Sequence, residues 1–140
     1  MMKSGFRILE HPSDLGIEAW GNDLAEVFRQ SALALTSLVV EPTSVRALER
    51  RTLQIRGTDT ENLLVRWLSE ILYLYDGEDF LVSEAEVQNI DETTIDSTLV
   101  GEILDMTVHE LRTDVKAVTY HQLKVSHETG NWRAIVYLDL

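Results

Sequence analysis

The chain has 140 residues, 44% of them hydrophobic and 26% charged, which fits a single globular domain over residues 1–140 and excludes a disordered chain. Twelve lysine and arginine residues face 24 aspartate and glutamate residues, so the net charge is −12. A surface this negative repels phosphate backbones, and we expect no tight autonomous nucleic-acid binding. The sequence contains no cysteine, which excludes disulfides, thiolate metal sites and a cysteine nucleophile.

The N-terminal residues contain no apolar segment of the kind found in a secretory signal. No apolar run approaches the roughly 20 residues that a membrane-spanning helix needs. We therefore expect a cytoplasmic protein that does not cross a membrane.

Two helices are predicted from capping residues followed by apolar positions at helical spacing. Asp23, with a glutamate three residues later, matches a capping box, and one apolar face runs from Leu24 to Leu38. Thr58 with Glu61 matches a second capping box ahead of a broad apolar stripe that ends at residues 75–77. Stripes of this width are typical of helices packed against a core.

The remaining segments alternate in the way that β-strands do. The predicted strands cover residues 6–10, 16–20, 45–47 with 53–55, 80–87, 97–104, 115–125 and 132–138. Turn residues stand at 89–92, and residues 128–131 predict a hairpin turn. Strands that follow helices, rather than alternating with them, favour an α+β fold whose helices pack on an antiparallel or mixed sheet.

Enzyme signatures are missing from the sequence. It contains no glycine-rich phosphate loop, no GxSxG elbow and no spaced zinc motif. Glu102 and Asp105 are three residues apart and would point to opposite faces of a strand, so they make a poor acid–base pair. The histidines are each interpreted as exposed or as satisfied polar residues: His11, His109, His121 and His127.

Four arginines form the nearest approach to a basic patch: Arg46, Arg50, Arg51 and Arg56. In a strand, three of them share a face and Arg51 takes the other. We favour a solvated strand edge over a weak anion site.

A metal site is one interpretation of the last two residues. The carboxylate of Asp139 stands beside the terminal carboxylate of Leu140, and two hard oxygens on adjacent residues suit Ca²⁺ or Mg²⁺. Asp14, in a turn between two short predicted strands, could bring a third carboxylate. The competing interpretation is that Asp14 accepts a turn hydrogen bond and that the terminal acids are merely solvated.

Several segments together resemble the archease family along essentially the whole chain. Residues 11–17 (HPSDLGI) resemble a family pattern close to His-Thr-Ala-Asp-x-Gly-Ile, and residues 62–73 are similar to its second-helix motif. Gly101-Glu102 and residues 114–121 (DVKAVTYH) resemble its most diagnostic stretch, and Leu138-Asp139-Leu140 matches its C-terminal pattern.

The departures from the family are mild. Pro12 and Ser13 stand where the family has Thr and Ala, and Leu140 stands where Ile is common. A terminal ligand at Leu140 would use a carboxylate or main-chain oxygen, so its side chain should not matter.

The resemblance implies a fold and a function. It implies a one-domain α+β protein with two packed mixed or antiparallel β-sheets and two main helices. It also implies a non-catalytic accessory factor of the RNA-splicing ligase, which joins 3′-phosphate or cyclic-phosphate ends to 5′-hydroxyl ends after guanylylating itself with GTP. The factor promotes guanylylation and multiple turnover, in tRNA splicing or RNA repair.

The same resemblance implies site residues. The family's metal site maps onto Asp14, Asp139 and Leu140, and we expect Ca²⁺ there, with Mg²⁺ as the alternative. Lys116 matches a residue implicated in assisting the ligase, together with Asp14 and Asp139. His121 matches the motif without an assigned role.

Two other functions stay open from the sequence. A general chaperone or interaction module would bind unfolded clients through exposed apolar surface. A metal-dependent hydrolase at Asp14 and Asp139 would need an open metal position and a base, and the sequence identifies no base.

Overall fold

A computed structural model describes residues 3–10 and 14–140. Two α-helices fall within these residues: α1 (Leu24–Val39) and α2 (Thr60–Glu78). The strands are β1 (Gly5–Glu10), β2 (Leu15–Gly21), β3 (Glu49–Arg56), β4 (Phe80–Ile90), β5 (Thr94–Ile103), β6 (Ala117–Val118), β7 (Lys124–Glu128) and β8 (Asn131–Asp139). A short 3-10 helix, Pro42–Ser44, follows α1.

The strands form two sheets, and every pairing within the described residues is antiparallel. The five-stranded sheet has the order β1-β2-β8-β6, with β7 also paired to β8. The three-stranded sheet has the order β3-β5-β4. Strand β8 lies between β2 on one side and both β6 and β7 on the other, so three distant chain segments meet along it.

The core connects the two sheets through the helices. Helix α1 contacts β2 and β4, which belong to different sheets, and α2 contacts β3, β4 and β6. Trp67 of α2 is fully buried, and its indole N–H donates to the carbonyl of Phe28 in α1 at 2.9 Å. The predicted α+β fold with two sheets and two main helices is confirmed. Neither described helix combines the length and the apolar character needed to cross a bilayer.

Helix α1 begins where the capping pattern predicts. The carboxylate of Asp23 accepts a hydrogen bond from the backbone N–H of Glu26 at 2.8 Å. The carboxylate of Glu26 has other partners, since it accepts from Arg29 at 2.7 Å and from Gln30 at 2.9 Å. One half of the predicted capping box is therefore confirmed.

Helix α2 has different ends from those predicted. Asp59, not Thr58, is the capping residue, and its carboxylate accepts from the backbone N–H of Asn62 at 2.7 Å. The helix continues through residues 75–77 and ends at Glu78, after which Asp79 takes a left-handed conformation with φ of 55°. The predicted start and stop were wrong because a neighbouring residue performs each role.

Two predicted strands also differ from the structure. Residues 115–125 do not form one strand, because β6 covers two residues and Gln122, with φ of 51°, turns the chain before β7. Both pieces pair with β8, at different points along it. Residues 45–47 precede the strand, which begins at Glu49.

We expect Asp23→Ala to lower the free energy of unfolding by about 1 kcal/mol, because the first turn of α1 loses its side-chain acceptor. Asp23→Ser, which restores an acceptor of capping type, should recover most of the loss. Urea unfolding of both variants followed by circular dichroism checks this, and equal losses in the two would show that the cap is not the cause.

Candidate functional site

One edge of the five-stranded sheet brings together the two predicted carboxylates. Leu15, the first residue of β2, pairs with Leu138 of β8. Asp14 immediately precedes Leu15 and Asp139 immediately follows Leu138, so the two acids leave neighbouring strands at the same edge. Continuing the register by one residue places them opposite each other and on the same face.

A third strand completes this edge. Ala117 of β6 pairs with Asp139, and the backbone N–H of Lys116 donates to the carbonyl of Asp139 at 2.9 Å. The strand pairing thus brings four residues together at this edge: Asp14, Lys116, Asp139 and Leu140. In the sequence, the first and the last of them are more than a hundred positions apart. We call these four residues the acidic edge.

The side chains of the acidic edge point to two opposite faces of the sheet. Residue alternation directs Lys116 away from the face that Ala117 shares with Asp139. Lys116 is exposed and makes no ion pair within the described residues. Asp139 and Leu140 are exposed and Asp14 is half-buried. The carboxylate of Asp139 and the ammonium group of Lys116 therefore lie on opposite faces and form no ion pair with each other.

Tyr137 anchors the end of β8. A Cβ atom on Gly16 would lie 2.8 Å from a ring carbon of Tyr137, so the ring lies over a position that has room only for glycine. The carbonyl of Tyr137 accepts from the backbone N–H and the hydroxyl of Thr119 at 3.0 and 2.9 Å. His121 is exposed and meets the Tyr137 ring edge-on at 6.0 Å, a packing contact that assigns it no chemistry.

The donor set of the acidic edge fits a hard cation. The carboxylates of Asp14 and Asp139 and a main-chain oxygen of Leu140 are oxygen ligands. Asp139 and Leu140 are exposed, so water can complete the shell of about six to eight oxygens that Ca²⁺ takes. Within the described residues, no group of three or more histidine, cysteine, aspartate or glutamate side chains is arranged to hold a metal. A cation here would depend on the main-chain oxygen and water.

Sequence reasoning missed a second acidic group next to this edge. Partial burial, and then the negative charge of Asp114, raise the pKa of Asp76 near the end of α2. Burial raises the pKa of Tyr75, and the negative charges of Asp76, Asp114 and Asp79 raise it further. Asp114 stands two residues before Lys116, so negative charge extends from α2 to the acidic edge. Only the packing of α2 against this segment reveals it.

The described histidines match the prediction of exposed or satisfied side chains. His109 is buried, its Nε2 lies 3.0 Å from a carboxylate oxygen of Glu102, and its Nδ1 accepts from the backbone N–H of Asp105 at 3.0 Å. His121 and His127 are exposed. His11 lies outside the described residues.

Glu102 and Asp105 are not an acid–base pair. Glu102 is buried and bound by Arg46 and His109, whereas the carboxylate of Asp105 accepts from the backbone N–H and hydroxyl of Thr107 at 2.9 and 2.6 Å. Each carboxylate therefore has its own structural partners, and the prediction that the two make a poor acid–base pair is confirmed.

Three of the four arginines that were considered as a weak anion site form ion pairs within the chain. Arg46 pairs with Glu102 at 3.0 Å, Arg50 with Glu86 at 3.1 Å and Arg51 with Glu49 at 3.2 Å. Strand β3, which carries Arg50 and Arg51, is an edge strand. This arrangement favours the solvated strand edge.

The fold and the acidic edge define a small, acidic α+β protein whose candidate functional groups come from three strands of one sheet. The profile of the Archease protein family (MTH1598/TM1083) matches residues 6–140. The chain belongs to the archease family.

Individual relatives agree over almost the full length. The protein archease of Sulfurisphaera tokodaii is 39% identical over 135 residues, which cover 95% of this chain and 96% of that protein. The protein archease of Methanothermobacter thermautotrophicus is 37% identical over 139 residues, covering 97% and 99%.

Solved structures show the same fold. The solution structure of Methanobacterium thermoautotrophicum protein 1598 has a TM-score of 0.80 and 33% identity, over 97% of this chain and 99% of that one. The crystal structure of a Thermotoga maritima archease, described as a possible chaperone, has a TM-score of 0.66, covering 100% and 98%. Its 17% identity supports the fold alone.

Proposed function

We propose that this protein is a non-catalytic accessory factor of the GTP-dependent ligase that joins 3′-phosphate and 5′-hydroxyl RNA ends. It promotes guanylylation of the ligase and multiple turnover, in tRNA splicing or RNA repair. The observation that carries the proposal is the convergence of Asp14, Lys116 and Asp139 at one sheet edge. Membership of the archease family supports it.

The electrostatics of the chain agree with this role. A ligase that binds RNA and GTP needs a positive cleft, and a protein of net charge −12 is attracted to such a surface. The acidic edge exposes Asp139, Leu140 and Lys116 at the surface, where a ligase can contact them. Lys116 supplies a positive point on the opposite face, where it can contact a phosphate or a ligase carboxylate.

We propose that Asp14, Asp139 and the main-chain oxygen of Leu140 hold a divalent cation, preferably Ca²⁺. When bound, the cation supplies charge neutralisation between two neighbouring carboxylates that otherwise repel each other. Asp14 and Asp139 orient the ends of β2 and β8, and the hydrogen bond from Lys116 to Asp139 joins β6 to them. Calcium titration by calorimetry should show binding to wild type and loss of it in Asp14→Asn and Asp139→Asn.

The decisive experiment is a ligation time course with limiting cognate ligase, excess broken RNA and GTP. We expect wild type to convert single turnover into multiple turnover, and Asp14→Asn and Asp139→Asn to lose this effect while staying folded. Lys116→Ala should weaken it as well. Glu92→Gln is the matched control, because it removes one exposed carboxylate at the far hairpin between β4 and β5.

A chaperone remains the second candidate, because a solved archease is described as a possible chaperone. The chain also exposes large apolar side chains, including Leu48 at 63% and Met106 at 67%. Suppression of aggregation of unrelated clients, without any effect on ligase turnover, would replace the accessory-factor proposal by this one. Hydrolysis of phosphoesters by the pure protein would instead identify an enzyme.

A further inference from the structure

A polar depression lies on the outward face of the five-stranded sheet, separate from the acidic edge. Its volume is about 600 Å³. Three cationic and two carboxylate side chains are among the residues that line it, so its formal charge is positive by one, in a chain of net charge −12. At physiological ionic strength, charges more than about 8 Å apart are largely screened from each other, so local charges dominate here.

The floor of the depression is an ion triplet across three strands. Glu18 of β2 is only 3% exposed. Its carboxylate forms an ion pair with Nε of Arg7 at 2.5 Å and accepts a hydrogen bond from Nε of Arg133 at 2.7 Å. Burial acts to raise the pKa of Glu18, but hydrogen bonds from Arg133 and Arg7 outweigh it and lower the pKa. Two guanidinium groups thus share one carboxylate and keep an excess positive charge. Their side chains are 61% and 53% exposed.

Strand β7 adds a third cation and a hydroxyl. Ser126 pairs with Arg133, and Lys124 pairs with Ile135, so both face the same side as the triplet. Lys124 is exposed and forms no ion pair within the described residues. Guanidinium, ammonium and hydroxyl donors around one concave surface are the groups that bind phosphate.

An aromatic ring and an unused acceptor lie beside these cations. Trp20 pairs with Arg133 and lies over Gly5, where a Cβ atom would be 3.0 Å from the indole. Trp20 is half-buried, which leaves part of the ring accessible. The amide oxygen of Asn131, which also lines the depression, is buried and has no hydrogen-bond partner among the described residues. A nucleobase supplies both a stacking face and an exocyclic N–H donor.

We propose that this depression is a weak binding site for a nucleotide unit. The phosphate binds Arg7, Lys124 and Arg133, and the base lies against Trp20 within reach of Asn131. The carboxylate side chains of an acidic peptide would match the cations but would supply no ring to stack on Trp20. A weak site is compatible with the expectation, from the net charge of −12, that the protein does not bind nucleic acid tightly on its own. The unit can belong to a free nucleotide or to a single RNA strand.

The test uses the isolated protein, so its result is independent of the ligase proposal. Two-dimensional NMR follows the three indole N–H signals during titration with GTP, with a single-stranded oligoribonucleotide and with inorganic phosphate. We expect the Trp20 signal to shift on adding GTP or the oligonucleotide. The Trp67 signal should stay unchanged, because that indole is fully buried and bonded to Phe28. Binding by the oligonucleotide but not by GTP identifies an RNA strand, and binding by GTP but not by the oligonucleotide identifies a free nucleotide. Binding by both supports a site for a nucleotide unit from either source.

Two charge-reversal variants make the test specific. Lys124→Glu should weaken binding at least fivefold, whereas Arg56→Glu, with the same change of charge on the other sheet, should weaken it less than twofold. Asn131→Ala should weaken GTP binding but not phosphate binding. The proposal is overturned if no ligand moves the Trp20 signal, if both reversals weaken binding equally, or if phosphate binds as well as GTP does.

Discussion

Replacement of Gly101 by alanine is expected to lower the free energy of unfolding by more than about 3 kcal/mol and to leave little folded protein. A Cβ atom at this position would lie 1.8 Å from the carbonyl oxygen of Leu81 and 3.1 Å from Cα of Val82. Both neighbours are backbone atoms of β4, so no side chain can move aside. Strand β5 is the centre of the three-stranded sheet, and separating it from β4 disturbs the packing of β4 against α1 and α2.

The close approach arises from a local irregularity in the pairing. Val82 pairs with Gly101, and the register then shifts between Val82 and Glu84. The extra residue brings the β4 backbone towards β5, and only a residue without a Cβ atom fits there. Gly101 is therefore required by space, not by an unusual backbone angle.

Thermal and urea unfolding followed by circular dichroism measure this effect. Gly77→Ala is the matched control, because its Cβ would lie 3.5 Å from a ring carbon of Tyr73, which is an ordinary van der Waals contact. Gly77 lies within α2, where alanine is the better helix former, so the control should gain up to about 1 kcal/mol. An unchanged unfolding midpoint for Gly101→Ala would show that the strands separate at low cost.

The helices could be predicted because their apolar spacing and caps are local. Asp23 was recognisable as the cap of α1 since it directly precedes the apolar face. The start of α2 was less determined, because Thr58 and Asp59 are both residues that cap helices. The choice depends on which side chain reaches the third backbone N–H, and Asp59 does. Gly77 looked like a stop signal, yet Asp79 takes the left-handed position two residues later.

The segment at residues 115–125 shows where local pattern stops being sufficient. Its alternation is typical of one long strand, but it forms two separate strands, β6 and β7, that each pair with β8. Gln122 turns the chain between them. The same pairing places Lys116 beside Asp139. The composition of a segment indicates that it is extended, whereas its register depends on a partner elsewhere in the chain.

Some residues of the candidate sites could be recognised from the sequence, whereas others became evident only from strand pairing. Asp14 and Asp139 were proposed from residue chemistry and a family resemblance, and the antiparallel pairing of β2 with β8 brings them to one edge. The triplet around Glu18 had no sequence signal, because Arg133 is 115 positions away. The acids near the end of α2 were missed for the same reason. Contacts between distant segments depend on strand register, which one sequence does not specify.

The buried cluster around Glu102 carries the second large prediction. The carboxylate accepts from the backbone N–H of Arg46 at 2.6 Å and from its guanidinium at 3.0 Å. Since Nδ1 of His109 already accepts a backbone N–H, Nε2 must carry the proton and donate to Glu102. Glu102→Ala leaves both partners without an acceptor, and we expect a loss of about 3–5 kcal/mol. Glu86→Ala removes the exposed pair with Arg50 and should cost less than about 1 kcal/mol.

The pH dependence of stability provides an independent check of this cluster. Hydrogen bonds from Arg46, followed by that from His109, lower the pKa of Glu102 from 4.5 to about 2. A pKa that is lower in the folded state means that the carboxylate stabilises the fold fully above pH 4.5 and loses this contribution as the pH falls towards 2. Glu102→Gln cannot titrate, so its unfolding midpoint should fall less than that of wild type across this window. Parallel curves for the two proteins would mean that the cluster does not drive acid unfolding, and that other carboxylates, such as the Arg29-bound Glu26, do.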